Sequence, residues 1–363
     1  MQNKYLSDEI IEMSRDRRDF MKKITVGSAG LALASRLPCE IPMAKEIIPG
    51  RSEVSFATGT DRRDMMYQIL KPLESEIKRG IKGKQVILKT NLVGPDELCA
   101  PHVDAVRGVL DFLKPIYKKR VIVGDSTGRQ YPGPMSTFKH FEIHNYLTLP
   151  DEYNVKLADF NDDRATKMWI VDNKFHPLGI NIINTFHDPD NYLISLTRLK
   201  THNSVVVTLS VKNMVMGSPI NHYRQQAAAG RNEKALMHTG GPKGINFSMF
   251  LISKRVRPQL SIIDGTVGME GNGPTQGTAV EHGVALAGTD VLSVDRIGAK
   301  LMGVNYDDIG YLNYMAAAGM GQDDLSKIKI LGDSDPDDHI IQYKLHQNIE
   351  EQMTWKDGLV HDF

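Results

Sequence analysis

Three consecutive stretches decide the fold class: Gln85-Val-Ile-Leu-Lys-Thr-Asn91, then Pro101-His-Val-Asp-Ala-Val-Arg-Gly-Val-Leu-Asp-Phe-Leu113, then Arg120-Val-Ile-Val-Gly-Asp125. The first is a short β-branched, apolar run that breaks into polar residues, the pattern of a buried strand running into a loop. In the second, Val103, Val106, Val109, Leu110 and Leu113 recur at three and four. That spacing predicts a helix with one buried stripe, opened by Pro101, whose missing N–H loses no bond in a first turn. The third predicts another buried strand. Strand, helix and strand within about 40 residues make a βαβ unit, hence parallel strands joined by a right-handed crossover.

Working outward, strands are expected at 155–160, 192–197, 260–263, 284–287 and 327–331. Helices are expected at 290–302, stopped by Gly303, and at 309–318, stopped by Gly319. The stretches 131–153 and 219–243 show no periodicity and are expected as loops or lids over the cleft. The expectation is an α/β fold, a mostly parallel sheet with flanking helices, Rossmann-like units and long loops over one cleft. One domain should span 51–340, with a C-terminal extension at 341–363.

The acidic and basic residues balance, 44 against 44, which removes the electrostatic footprint of a nucleic-acid binder. Two cysteines, Cys39 and Cys99, are too few for an iron–sulfur cluster or a four-thiolate zinc site within this chain. A metal here would have to use His, Asp, Glu or Asn. Residues 1–50 have the layout of an export signal and linker. Arg17-Arg18-Asp-Phe-Met-Lys22 resembles the twin-arginine signal, and Ile24–Ser35 is a mildly apolar run too short to span a membrane. That resemblance implies passage through the twin-arginine translocation machinery and a periplasmic location. It also raises the expectation of a cofactor, a transition metal being the one to look for.

In an open parallel sheet, ligands bind beyond the carboxyl ends of the strands. Four polar clusters stand there: Lys89-Thr90-Asn91, Asp125-Ser126-Thr127-Gly128, Lys200-Thr201-His202 and Asp264-Gly265. The segment 200–238 adds Lys212, Asn213, His222, Arg224 and His238. Lys200 and His202 are two apart and share a face in extended chain, and a neighbouring ammonium would keep the imidazole neutral. Lys200, His202, Lys212 and Asp125 are therefore the expected catalytic residues. Lys89, Asn91, Ser126, Asn213, Arg224 and Glu270 are the expected substrate contacts. His202, His238 and Asp264 are the metal ligands to test. Anion binding by Lys200, Lys212 and Arg224 competes with metal binding and suits a carboxylate or phosphate. The glycine-rich stretch 264–278 follows a strand, but its glycine spacing, Pro274 and the lack of Gly-Lys-Ser/Thr reject a standard phosphate loop. Asp295 sits on the apolar stripe of its helix, where a carboxylate needs partners; structural hydrogen bonding is the favoured reading.

As an ordered series, Lys89-Thr-Asn, Gly124-Asp-Ser, Leu199-Lys-Thr-His, Val211-Lys-Asn, Asp264-Gly, Glu270-Gly-Asn-Gly-Pro, Gly288-Thr-Asp and Ser293-Val-Asp resemble domain of unknown function 362, over about 85–304. Thr90 stands where members often look like Pro. The resemblance suggests a separate redox partner, since many members are fused to ferredoxin-like modules. More faintly, the order of strand, Lys/His segment and glycine-rich turn is similar to the nickel-dependent lactate racemase group. The expected function is an exported enzyme acting on a small anionic organic substrate with a metal or redox cofactor, an oxidoreductase or isomerase. The alternative is a periplasmic ligand-binding or electron-transfer module without turnover.

Overall fold

The computed structural model describes residues 50–128, 136–222 and 232–357. The export signal and Arg224 lie outside them. The first half runs β1 (Ser52–Thr58), α1 (Arg62–Leu70), α2 (Glu74–Gly80), β2 (Gln85–Lys89), α3 (Val103–Ile116), β3 (Val121–Asp125), α4 (Thr137–Ile143), α5 (Leu149–Glu152) and β4 (Val155–Asp159). A separate two-stranded antiparallel hairpin follows, β5 (Ala165–Val171) and β6 (Pro177–Ile183). The chain then gives β7 (Asn191–His202), β8 (Val206–Thr208), α6 (Ser210–Gly217), α7 (Glu233–Leu236) and α8 (Gly241–Ser253). It closes with β9 (Leu260–Asn272), β10 (Gln276–Gly288), α9 (Val291–Leu301), α10 (Gly310–Ala317), β11 (Ile328–Leu331) and α11 (Ile349–Met353).

Nine strands form one mixed, mostly parallel sheet in the order β11-β1-β10-β9-β7-β2-β3-β4, with β8 pairing β7. From β9 to β4 every pairing is parallel. Alternation along β2 divides the core: Val86 and Leu88 join an apolar cluster with α1 and α3, while Ile87 joins the larger cluster on the opposite face. Both faces are thus buried, which is why the strand reads as a continuous apolar run. The chain goes from β2 outward to β3 and β4, then returns to the other side of β2 as β7. That reversal makes the carboxyl ends of β2, β3 and β7 a topological switch point, where such sheets open a crevice.

Local chemistry sets the helix boundaries. Val103, Val106, Val109, Leu110 and Leu113 are buried on α3, as their spacing requires. His102, not Pro101, starts this helix, its Nδ1 accepting the Asp104 N–H as an N-cap. Asp290 caps α9, and Gly303 ends that helix with φ of 62°. The stretches expected as loops carry short helices instead. Residues 131–153 contain α4 and α5, while 219–243 contain α7 and the start of α8. Four to seven residues are too few to reveal a helical period, and these turns depend on caps at Ser136 and Asn232. The glycine-rich stretch is likewise the end of a β9–β10 ribbon, with Glu270 opposite Thr278.

Residues 341–357 are stitched to the same core. The Ile341 and Tyr343 N–H groups bond to the carbonyls of Leu301 and Met302, and Tyr343 and Trp355 are buried. Among the described residues no helix is long and apolar enough to cross a membrane.

Candidate functional site

Lys89, the last residue of β2, is buried and has all three ammonium protons placed. They go to Asp125 Oδ1 at 2.7 Å, Asn213 Oδ1 at 2.8 Å and the Thr90 carbonyl at 2.8 Å. Burial pushes its pKa down, and the ion pair with Asp125 opposes that. Asp125, ending β3, also accepts the Ser126 and Leu92 N–H groups. The pair is therefore saturated and holds the strand ends in register. Gly217, ending α6, lies so close that a β-carbon there would collide with Lys89 Cε.

Asn213 extends the network: its amide donates to Ser195 Oγ at 2.9 Å, while its Oδ1 also accepts from Asn91 at 3.2 Å. Asn91 Oδ1 in turn accepts from Lys200 Nζ at 2.7 Å. Asp295 sits beneath α6 with one oxygen on the Ser210 N–H and the other on the Val211 N–H, at 2.8 and 2.9 Å. It is the structural cap its place on the apolar stripe implied. Burial raises its pKa to about 7.

A cleft of about 400 Å³ opens above this base. Lys89, Asn91, Asp125, Ser126, His202, Lys212, Asn213 and His238 all line it, the last from an exposed rim position. His202 is buried, and its Nδ1 accepts the Ser204 N–H at 3.1 Å. The ring proton is therefore on Nε2, which makes that atom a donor. Burial, reinforced by Lys212, holds the His202 pKa well below its ordinary value, so the imidazole is neutral.

Lys212 is the exception in this network. It is buried, lines the cleft, and none of the described residues accepts a hydrogen bond from its Nζ. Burial and then the Lys89 charge lower its pKa to about 7. Lys234 went unnoticed in the sequence, because it lies on a four-residue helix inside a stretch without period. Its Nζ donates to the carbonyls of Gly217 and Pro219 and to Ser126 Oγ. Burial also lowers Lys234 and Lys200 to about 7.

Several expected site residues are elsewhere. Lys200 is within β7, not beyond it, and donates to Asn91 and the Cys99 carbonyl behind the cleft wall. Asp264 is buried mid-strand in β9, 3.5 Å from Arg62, and accepts the Thr266 N–H. Strand β9 runs on past 263, so Asp264 never reaches the cleft. Glu270 is held at the far end of the ribbon by the Lys344 N–H at 2.8 Å. His222 does not line the cleft. The donor set therefore does not fit a metal. Asp264 is separated from His202 and His238, Asp125 is saturated, and His202 presents a protonated nitrogen. Among the described residues no three His, Cys, Asp or Glu side chains are grouped to hold an ion.

Fold and site together define a class: an α/β protein with a polar, lysine-rich crevice at the switch point of its sheet. The chain belongs to the family described as Domain of unknown function (DUF362), whose model matches residues 86–300. A thylakoid-associated protein of Synechocystis sp. is 28% identical over 224 residues, 59% of this chain and 61% of that protein. The match thus spans about three fifths of that relative's length. Among solved structures, lactate racemase apoprotein from Thermoanaerobacterium thermosaccharolyticum matches with a TM-score of 0.36 and 12% identity, over 69% of this chain and 56% of that one. A Thermotoga maritima protein matches with a TM-score of 0.38 and 11% identity, over 59% and 53%. Likenesses at this level say nothing about chemistry.

Proposed function

We propose that the cleft binds a small organic anion and that the protein is an enzyme acting on it, with Lys212 as the group that meets the substrate. One observation carries this reading. Lys212 and Lys234 line one crevice and Lys200 lies behind its wall, all three buried with no carboxylate in contact with any of them among the described residues, and only Lys89 is matched, by Asp125. Unmatched cations in a low-dielectric wall focus positive potential into the opening, and an anion is what relieves it. The volume suits a molecule of a few carbons better than a nucleotide.

The Nε2–H of His202 can donate to a substrate oxygen, and an amine with a pKa of about 7 can give or take a proton near neutral pH. Proton transfer at a carbon beside a carboxylate is the chemistry this pair supports. That favours an isomerase over an oxidoreductase, and no step is routed through a metal.

Thermal unfolding in lactate, malate or phosphate, against a chloride salt of equal ionic strength, tests the binding. Organic carboxylates should raise the midpoint in a saturable way, and Lys212→Gln should remove most of that rise. Equal midpoints in all four salts would rule the reading out.

A further inference from the structure

We infer that Lys212 is a nucleophilic lysine that forms an imine with the carbonyl carbon of a small 2-oxo acid bound in the cleft. The inference rests on the anion-binding reading above and narrows it to a substrate class. Its ground is the contrast among four buried lysines. Lys89 has three acceptors, Lys234 has three and Lys200 has two, so all but one of their ammonium protons are committed to the protein. Among the described residues Lys212 has none, although it is only 6% exposed and its side chain lines the cleft.

A lysine that is buried, unpaired and next to another cation is the form in which the amine is neutral and reactive. The groups around it agree. Lys89 and Asp125 face it from the ends of β2 and β3 as an ion pair already closed on itself, and Lys200, Lys234, His202 and His238 complete the surroundings. Among the described residues no carboxylate pairs with Lys212; burial and then the Lys89 charge bring its pKa to about 7, against the weaker opposing pull of Asp125. His202 presents an N–H, suited to the oxygen of a polarised carbonyl.

The step balances without an oxidant or reductant. The Nζ lone pair adds to the carbonyl carbon, and the C=O π pair moves to oxygen. That oxygen then leaves as water with the two amine protons, giving C=N. The imine carbon, C2, carries no hydrogen; by withdrawing electrons it acidifies the C–H bonds of C3, so the proton transfer it promotes is at C3, one carbon further from the carboxylate.

The test is reductive trapping on the full chain. Protein is incubated with pyruvate and cyanoborohydride at pH 6 and pH 8, and adducts are located by peptide mass mapping. One dominant adduct at Lys212 is expected, forming faster at pH 8, slowed by lactate and absent in Lys212→Gln and Lys212→Arg. Labelling spread evenly over exposed lysines, or none at all, would overturn the imine. Thermal shifts by pyruvate and lactate in the same samples separate the two ideas. Shifts without an adduct leave the anion site standing and remove the imine, whereas neither shift nor adduct removes both.

Discussion

At the residue scale, the site is a set of buried charges whose partners decide their roles. Lys89 and Asp125 are a closed pair at 2.7 Å, both almost fully buried. Lys89→Met leaves a buried carboxylate with only backbone donors and should destabilise the fold by about 3–5 kcal/mol, the range for breaking a buried ion pair. Replacing both, Lys89→Met with Asp125→Leu, should recover a large part of that loss. Urea unfolding of the single and double variants checks this; a single variant no worse than the double would show that the pair does not hold the strand ends. The same residues show why sequence reading overshot. Lys89, Lys200 and Lys212 look alike in a string of letters, yet only Lys212 finds no acceptor for its nitrogen among the described residues.

At the element scale, the β7–β8 turn that carries His202 is held from outside the sheet. Val206 has φ of 68°, a left-handed conformation unfavourable for a β-branched residue. Gln352 on α11 spans the turn, its Oε1 accepting the Val206 N–H at 2.7 Å and its amide donating to the His202 carbonyl at 2.9 Å. Gln352→Ala strands two buried backbone groups, a loss of about 1–3 kcal/mol. Because His202 rides on this turn, the variant should also show faster amide exchange at Val206 and a smaller midpoint rise with carboxylates. Unchanged exchange at Val206 would mean that the turn holds its shape alone. Nothing in the sequence around Gln352 signals this contact, 146 residues from Val206.

At the scale of the whole molecule, the buried lysines set how stability responds to pH. Lys200, Lys212 and Lys234 have pKa values of about 7 in the folded state against an ordinary 10.5. Between those values the unfolded chain binds more protons than the folded one, so stability should rise as pH increases from 7 toward 10. A bound anion favours the ammonium forms and should flatten that rise. Unfolding midpoints from pH 7 to pH 9.5, with and without a saturating carboxylate, check both signs; a midpoint that falls over this range without ligand would show that the folded protein keeps these lysines protonated and would overturn the lowered pKa values.

The sequence by itself determined the repeating strand and helix units, the buried stripe of α3, the cap at Asp290 and the stop at Gly303. Each of these depends on residues within a few positions of one another, where side-chain period and backbone preference act directly. It also pointed to the carboxyl ends of β2 and β3, because polar residues that end an apolar strand have few other uses. Tertiary structure decided what those residues do. It carried β9 past Asp264 and so removed that carboxylate from the cleft, closed Glu270 on the Lys344 N–H, brought Lys234 in from a helix too short to register, and, among the described residues, matched every cleft lysine but Lys212 with acceptors. Pairing between residues more than a hundred positions apart depends on sheet order and strand length. Neither leaves a trace in local composition.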